Sequence, residues 1–171
     1  YFDEALVDRV SVGNTKILIY NRAKPNKEPL VISNVKFTAT DIQKLHSGTN
    51  IKNLISSSNW KLSGDGFSFM TENNRYKISL GAFDINNADA SMRIKKFTVK
   101  PMFTEAAFSK SLNQQEDLYN LEFNNIELHD IDTRLLISKQ RLIAAIASLQ
   151  PVVKIYRDRT IAEDLSSKVN K

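Results

Sequence analysis

Apolar and polar residues alternate along most of this chain, and the alternation predicts β-strands. Residues 35–40 and 76–82 both place apolar side chains at every second position, separated by Lys, Ser, Thr or Gly. A period of two is typical of a strand with one buried face. The alternation slips by one residue at Gly81, before Phe97 and at Asn124-Asn125. A slip of this kind predicts a β-bulge or a bend.

A longer pattern recurs near both ends of the chain. Residues 6–22 and 142–158 each have an apolar strand, turn residues at Gly13-Asn14 or Gln150-Pro151, and a second apolar stretch ending in Tyr and charged residues. Few positions are identical, so the similarity lies in the order of features. The pattern predicts a strand-turn-strand unit used twice in a repetitive β scaffold.

A shorter phrase, Asn-apolar-charged-apolar, occurs at residues 34–37 and 125–128, and an Asp follows each copy, Asp41 or Asp132. A hairpin is predicted at Thr71–Asn74, since Asn tolerates the left-handed conformations of tight turns. The chain is therefore predicted to alternate between hairpin-like segments and single-strand segments.

Helical signals are brief. Thr104 is suited to cap a helix that continues to about Leu112, and Pro101 just before it suits the end of a strand. One or two helical turns are also predicted at residues 41–45, 51–55 and 132–137. Two segments, 17–20 and 152–156, have apolar residues at both odd- and even-numbered positions. Since these positions point to opposite faces of a strand, we expect both faces to be covered.

These signals predict a mainly β fold. We expect an extended, twisted, antiparallel-rich sheet of repeated strand-hairpin units with a few short helices. The 171 residues, 42% hydrophobic and 25% charged, fit one folded domain spanning residues 1–171. No apolar run approaches the roughly 20 residues of a membrane helix, and no signal-peptide pattern opens the chain. Because the chain begins with Tyr1 rather than Met, we expect a processed or excised part of a larger repeat protein.

The net charge of +5 and the pI near 9.4 raise the possibility of an anionic partner such as nucleic acid. The basic residues are scattered, however, and most alternate with apolar residues, as on a solvated sheet face. We therefore rank nucleic-acid binding below the other functions and predict no nucleic-acid partner. The basic segments contain Arg93, Lys95, Lys96 and Lys100; Lys139 and Arg141; and Lys154, Arg157 and Arg159.

The densest polar cluster is Glu127, His129, Asp130 and Asp132. Glu127 and His129 would project from one face of a strand, as metal ligands sometimes do. The chain has only two His and no Cys, and no second ligand pair completes a site. We favour a solvated strand end in which Asp132 caps a helical turn.

Other candidate sites favour structural roles. The alternating charges of residues 156–159 could form cross-strand pairs, but the favoured interpretation is the end of an amphipathic strand, with the Tyr ring packed and the charges facing water. Trp60, Phe67 and Phe69 could form a platform for sugars or bases, but core packing is the favoured interpretation. Residues 62–66 lack the Lys of a phosphate loop and predict a β-turn. There is no Gly-x-Ser-x-Gly motif. We predict a non-enzyme with no catalytic, cofactor-binding or metal-binding residues.

From about Gly66 onward, the order of these phrases resembles the AsmA-like envelope proteins of Gram-negative bacteria, in the form common among Bacteroidetes. The opening segment 7–42 resembles a repeat of the same family. The matching phrases are the strand Tyr76–Leu80, the basic strand 92–100 ending at Pro101, the helix with Phe108, the polar segment 114–117, the phrases 125–128 and 130–132, Leu136, and the closing segment 155–159.

The resemblance implies a periplasmic segment of a larger protein that is anchored to the inner membrane by an N-terminal helix, which this chain lacks. It also implies lipid transport or handling, with acyl chains of phospholipids as partners on an apolar sheet face, and a role in envelope integrity. The family supplies no catalytic residues, and the sequence leaves the lipid-contact residues unknown. The alternative is a structural or protein-interaction β domain without a lipid groove. Exposed sheet edges could also pair between chains.

Overall fold

The computed structural model describes residues 4–5, 7–22, 28–42, 45–46, 58–139 and 141–163. Strands dominate this part of the chain. They are β1 (Glu4–Ala5), β2 (Arg9–Ile19), β3 (Leu30–Thr40), β4 (Leu45–His46), β5 (Asn59–Gly64), β6 (Phe67–Met70), β7 (Tyr76–Leu80), β8 (Phe83–Asn86), β9 (Ser91–Pro101), β10 (Asp117–His129) and β11 (Ile146–Arg157). The helices of the described residues are α1 (Glu105–Lys110) and α2 (Thr133–Lys139).

Nine strands form one open antiparallel sheet, and β1 and β4 form a separate two-stranded pair. The main sheet is a meander, ordered β11-β10-β9-β8-β5-β3-β2. Strand β6 runs on from β5 in the same direction. Strands β7 and β8 also follow one another in a single direction, and both pair with β9. Neighbours in space are therefore neighbours along the chain. The predicted mainly β, extended antiparallel sheet with a few short helices is confirmed.

Both described helices begin where the sequence predicts. The hydroxyl of Thr104 accepts a hydrogen bond from the backbone N–H of Ala107 at 3.3 Å, which caps α1. A carboxylate oxygen of Asp132 accepts from the N–H of Leu135 at 2.9 Å at the start of α2. The hairpin between β6 and β7 is also confirmed, and Asn74 adopts the left-handed conformation there with φ of 53°.

The turns predicted at Gly13-Asn14 and Gln150-Pro151 are wrong. Strand β2 runs through Gly13, and both of its halves pair with β3 rather than with each other. Strand β11 likewise runs through Pro151 along β10. Asn14 has a φ of 53°, which the chain uses for a bulge instead of a hairpin. The two similar segments are single long strands at the two edges of the sheet.

The prediction that residues 17–20 and 152–156 are covered on both faces is also wrong. These residues belong to or adjoin the edge strands β2 and β11, where no neighbouring strand shields the outer side. Ile19 is 50% exposed and Ile155 is 57% exposed. An apolar run on both parities is thus compatible with an edge strand as well as with a buried one.

Two further predictions concern short segments. The helical turn predicted at residues 41–45 is wrong. Asp41, at its start, has a φ of 57°, and Leu45, at its end, belongs to strand β4. The segment 51–55 lies outside the described residues. At residues 62–66 the chain bends between β5 and β6 without reversing direction, so the predicted β-turn is wrong.

The apolar residues change parity near the middle of the strands. In β2 they are even-numbered at Val10 and Val12 but odd-numbered at Ile17 and Ile19. Left-handed residues lie at four of these changes, Asn14, Asn34, Gly66 and Asn125, with φ of 53°, 51°, 92° and 49°, whereas the changes at Gly81 and before Phe97 have none. The β2–β3 and β10–β11 registers shift beside them. An extra residue of this kind turns the following side chains back to the original face.

Strand β3 shows directly how a left-handed residue that interrupts the alternation, which we call a break, affects the side chains. A Cβ on Gly64 would lie 3.0 Å from the ring of Phe83 and 3.5 Å from Cγ2 of Ile32. Ile32 precedes Asn34 in β3, whereas Val35 and Phe37 follow it. With uninterrupted alternation Ile32 would point away from Phe37; the break returns it to the side of Phe83. The phrase Asn-apolar-charged-apolar at 34–37 and 125–128 thus marks two such breaks.

A substitution at Gly66 tests whether the left-handed conformation at one of these breaks in alternation is required for stability. A Cβ at this position would lie 2.1 Å from the carbonyl oxygen of Leu80, and the φ of 92° strains any L-residue. We predict that Gly66→Ala lowers the free energy of unfolding by about 1–3 kcal/mol, measured by urea denaturation. Gly13→Ala is the matched control, because no atom lies within 4 Å of its Cβ position; its effect should stay within about 0.5 kcal/mol. Equal effects of the two substitutions would contradict this account.

Candidate functional site

The principal candidate site is one face of the main sheet, which we call the apolar face. In the half of the sheet that contains Trp60, strand register brings apolar side chains of seven strands to one side. They are Val10, Val12, Phe37, Ala39, Trp60, Leu62, Phe83, Ile85, Met92, Ile94, Ile126, Leu128 and Ala147. The opposite side carries mainly Ser, Thr, Lys, Asp, Asn, Arg and Glu, and we call it the polar face.

The other half of the sheet shows the same segregation in its rows of directly opposed residues. One row is apolar across five strands: Phe69, Ile78, Val99, Leu121 and Val153. The neighbouring row, on the other side of the sheet, is Ser68, Ser79, Thr98, Glu122 and Val152. A further apolar row contains Phe67, Leu80, Phe97, Phe123 and Pro151, and the rings of Phe97 and Phe123 lie 6.1 Å apart.

The apolar face is only partly covered in the described structure. The central residues Leu62, Ile94, Phe97, Leu121 and Ile126 are half-buried. Apolar residues facing a second layer in a packed domain would be almost completely buried. Every extensive contact between described elements joins two strands, so neither described helix packs along this face. The face therefore resembles an open sheet more than half of a closed sandwich.

Among the described residues, few apolar side chains are fully buried: Val35, Ala39, Ile42, Trp60, Phe108, Leu118 and Ile131. At one end Trp60, Ala39 and Ile42 pack together, and Phe37 stacks on Trp60 with ring centroids 6.4 Å apart. At the other end Phe108 of α1 is 1% exposed and Leu118 of β10 is 4% exposed. The hydroxyls of Ser109 in α1 and Tyr156 in β11 lie 3.2 Å apart. Because Tyr156 opposes Leu118, α1 covers the polar side of the sheet and leaves the apolar face open.

The dimensions of the apolar face suit an extended apolar ligand. Seven strands about 4.8 Å apart span roughly 29 Å, and the 11 residues of β9 extend about 37 Å. One leaflet of a bilayer contributes only about 15 Å of hydrocarbon. Large contiguous apolar patches on protein surfaces usually mark interaction or ligand-binding sites, so this face is the principal candidate for one.

A groove opens at one end of this face, and we call it the end groove. Strand β6 pairs with β7 only, which leaves a gap between β6 and β3 beyond Gly66. The groove has a volume of about 990 Å³. Its lining includes Ile19, Tyr20, Leu30, Phe69, Met70, Lys77 and Met102.

Ion pairs lie on the polar side. The ammonium of Lys96 lies 2.8 Å from a carboxylate oxygen of Glu122, and this hydrogen bond lowers the pKa of Glu122. Arg93 lies 3.8 Å from Glu127. The predicted solvated face of basic residues is thus confirmed for this part of the sheet.

The predicted polar cluster is divided by the fold. Nε2 of His129 lies 3.7 Å from Glu127, but Asp132 caps α2, as predicted. Asp130 bends the chain after β10 with a φ of 53°. Among the described residues, no group of three or more His, Cys, Asp or Glu is placed to hold a metal ion.

At the charged end of β11, Arg157 and Arg159 are exposed, as predicted for an amphipathic strand end, and Arg157 also forms a cross-strand pair. Arg157 donates to both carboxylate oxygens of Asp117, at 2.5 Å and 2.7 Å. This pairing holds the pKa of Asp117 below its ordinary value, and the bond from Tyr119 acts in the same direction. Two hydrogen bonds from Thr160 likewise lower the pKa of Asp158.

The three aromatic candidates do not form one platform. Trp60 is 6% exposed within its cluster, which confirms the predicted core packing. Phe67 and Phe69 stack at 6.4 Å near the end groove, and Phe69 is 42% exposed. Core packing is therefore the wrong interpretation for Phe69.

Sequence reasoning missed the identity of the apolar face. The signal was present, because the apolar residues change parity where left-handed Asn and Gly residues occur. Without the register of neighbouring strands, however, nothing showed that the breaks leave the apolar side chains together.

No family model, curated protein or solved structure matches the chain. None of the helices in the described ranges has the length and apolar character needed to cross a membrane.

The pairing of Asp117 with Arg157 predicts a pH dependence. A lowered pKa in the folded state stabilises the protein above the unfolded pKa of about 3.9, and this stabilisation is lost as pH falls through the folded pKa. We expect Asp117→Asn to be less stable than the parent protein at pH 7, and the difference to shrink below about pH 3.9. Urea denaturation across this range measures it. A difference that does not change with pH would contradict an ionic origin.

Proposed function

We propose that this chain is a non-enzymatic lipid-handling module that binds acyl chains on its apolar face. The observation that carries the proposal is the open, continuous apolar surface across seven strands, with charged and polar residues on the opposite side. Acyl chains require no hydrogen-bond partners. A sheet face is suitable for them because its backbone N–H and C=O groups are already paired within the sheet.

The end groove supports the same proposal. It connects the apolar rows of β6 with the exposed ends of β2 and β3 through Phe69, Ile19 and Leu30. A lipid lying on the apolar face could leave its polar headgroup near Lys77, which lines the same groove. The groove thus offers both an apolar path and a cation at its rim.

The resemblance to AsmA-like proteins supports the cellular setting that we propose. In that setting the chain is a periplasmic module of a larger protein that is anchored to the inner membrane. Phospholipids are then the partners, and transport or handling of lipids contributes to envelope integrity.

A second candidate function is protein interaction through the sheet edges. Strand β11 exposes large apolar side chains of both parities, including Val152 at 49% and Val153 at 51%. Its outer backbone groups lack a strand partner in the described sheet. Exposed edges of this kind pair readily with another strand. Pairing would extend the apolar face rather than cover it, so this candidate is compatible with the first.

Val152 and Val153 provide a matched test of the lipid proposal. They are adjacent in one strand and equally exposed, but Val153 opposes Leu121 on the apolar face and Val152 opposes Glu122. We predict that a benzophenone amino acid at position 153 crosslinks to phospholipid during expression in a Gram-negative host. The same group at position 152 should give several-fold less adduct, measured by mass spectrometry of the purified protein.

Circular dichroism of both variants serves as the control for folding. Equal lipid adducts at the two positions would indicate nonspecific contact. Absence of lipid from both would overturn acyl-chain binding and leave protein interaction as the better explanation.

A further inference from the structure

Two exposed apolar side chains lie at the end of the sheet where β9 stops. Met102 is 52% exposed and Phe103 is 40% exposed, directly after Pro101. The N–H of Met102 donates to the carbonyl oxygen of Arg75 at 2.8 Å. The connection from β9 to α1 is therefore fixed to the start of β7, and its apolar side chains are held at the end of the sheet.

These side chains stand at the mouth of the end groove. Met102 lines the groove together with Ile19 and Tyr20, which are 50% and 65% exposed. Phe103 lines a second cavity of about 640 Å³, which Lys154 and Tyr156 also line. This end of the sheet thus presents an apolar rim that extends from β2 to β11.

Lysines accompany the rim. Lys77 and Lys100 oppose each other on β7 and β9, one residue before the end of the sheet, and Lys154 lies on β11. All three side chains are exposed, and none forms an ion pair with a carboxylate within the described ranges.

Two acidic residues at this end are paired with arginines. Glu116 pairs with Arg75 at 2.6 Å, and Asp117 pairs with Arg157. Glu28 lines the end groove and Glu105 lines the cavity beside Phe103, but neither forms an ion pair with these lysines in the described ranges. The lysines that border the rim are thus available to a negatively charged partner.

We propose that this end of the sheet docks on a bilayer surface that contains anionic phospholipids. Met102 and Phe103 enter the interfacial region, while Lys77, Lys100 and Lys154 contact lipid phosphates. Combined apolar insertion and basic contacts are how peripheral proteins bind membranes, since either contribution alone is weak. A nucleic acid would satisfy the lysines but would offer no apolar layer for the rim.

This docking proposal rests on the proposed lipid-binding function in one respect: the bilayer would be the source of the lipid that the apolar face binds. The end groove would then face the membrane, and an acyl chain could pass from the leaflet to the apolar face without crossing water. Vesicle binding itself does not depend on lipid occupying the apolar face, so the two proposals fail separately.

The test is co-sedimentation with vesicles of phosphatidylcholine alone and of phosphatidylcholine mixed with phosphatidylglycerol. The unaltered chain should bind the mixed vesicles and bind phosphatidylcholine weakly. The variant Met102→Asp with Phe103→Asp should lose most of the binding to mixed vesicles. Its control is Leu142→Asp with Ile143→Asp, an adjacent pair with 51% and 42% exposure at the opposite end of the sheet, which should bind normally.

The basic contribution has its own matched pair. Lys77→Gln with Lys100→Gln should weaken binding to mixed vesicles roughly tenfold or more. Lys36→Gln with Lys61→Gln removes the same charge from exposed positions in the other half of the polar face and should have a much smaller effect. Equal losses from the two lysine pairs would indicate attraction by net charge alone and overturn a docking end.

Binding that survives Met102→Asp with Phe103→Asp, or no vesicle binding by the folded parent chain, would also overturn docking. If vesicles bind as expected but position 153 captures no lipid, the docking proposal stands and acyl-chain binding on the face fails. If position 153 captures lipid and vesicles do not bind, the reverse holds.

Discussion

The structure depends on keeping the apolar side chains of long, twisted strands on one side. Strict alternation would not do this here, because the apolar residues change parity halfway along the strands. Left-handed residues at Asn14, Asn34, Gly66 and Asn125 compensate by adding an irregular residue at the break. The hydrogen bond of 2.5 Å between the side chains of Asn34 and Asp65 joins the breaks of two neighbouring strands. The breaks thus work as a set across the sheet.

An open sheet with one apolar side is unusual, because a sheet normally buries one face against another layer. Here stability comes from pairing between successive strands, from ion pairs on the polar face, and from small clusters around Trp60 and Phe108. Helix α1 closes one corner on the polar side. Within the described part of the chain, no second layer covers the apolar face, and this is the basis of the proposed lipid function.

Local sequence predicted local structure well, but it predicted poorly which strand faces are buried. The cap at Thr104, the role of Asp132 and the hairpin near Asn74 follow from short-range hydrogen bonding, so the sequence is sufficient to predict them. The turn predicted at Gly13-Asn14 failed because a left-handed Asn suits both a hairpin and a bulge. Only the pairing of both halves of β2 with β3 distinguishes the two.

The sequence by itself determined that the chain forms amphipathic strands, that their alternation slips at Asn124-Asn125, and that no familiar catalytic motif is present. Only the tertiary structure decided which apolar rows meet, that β2 and β11 are exposed edges, and that Met102 and Phe103 stand beside Lys77 and Lys100 at one end. The physical reason is that alternation fixes a side chain relative to its own strand. Which side chains share a surface depends on register between strands, and exposure depends on what lies beyond the last strand.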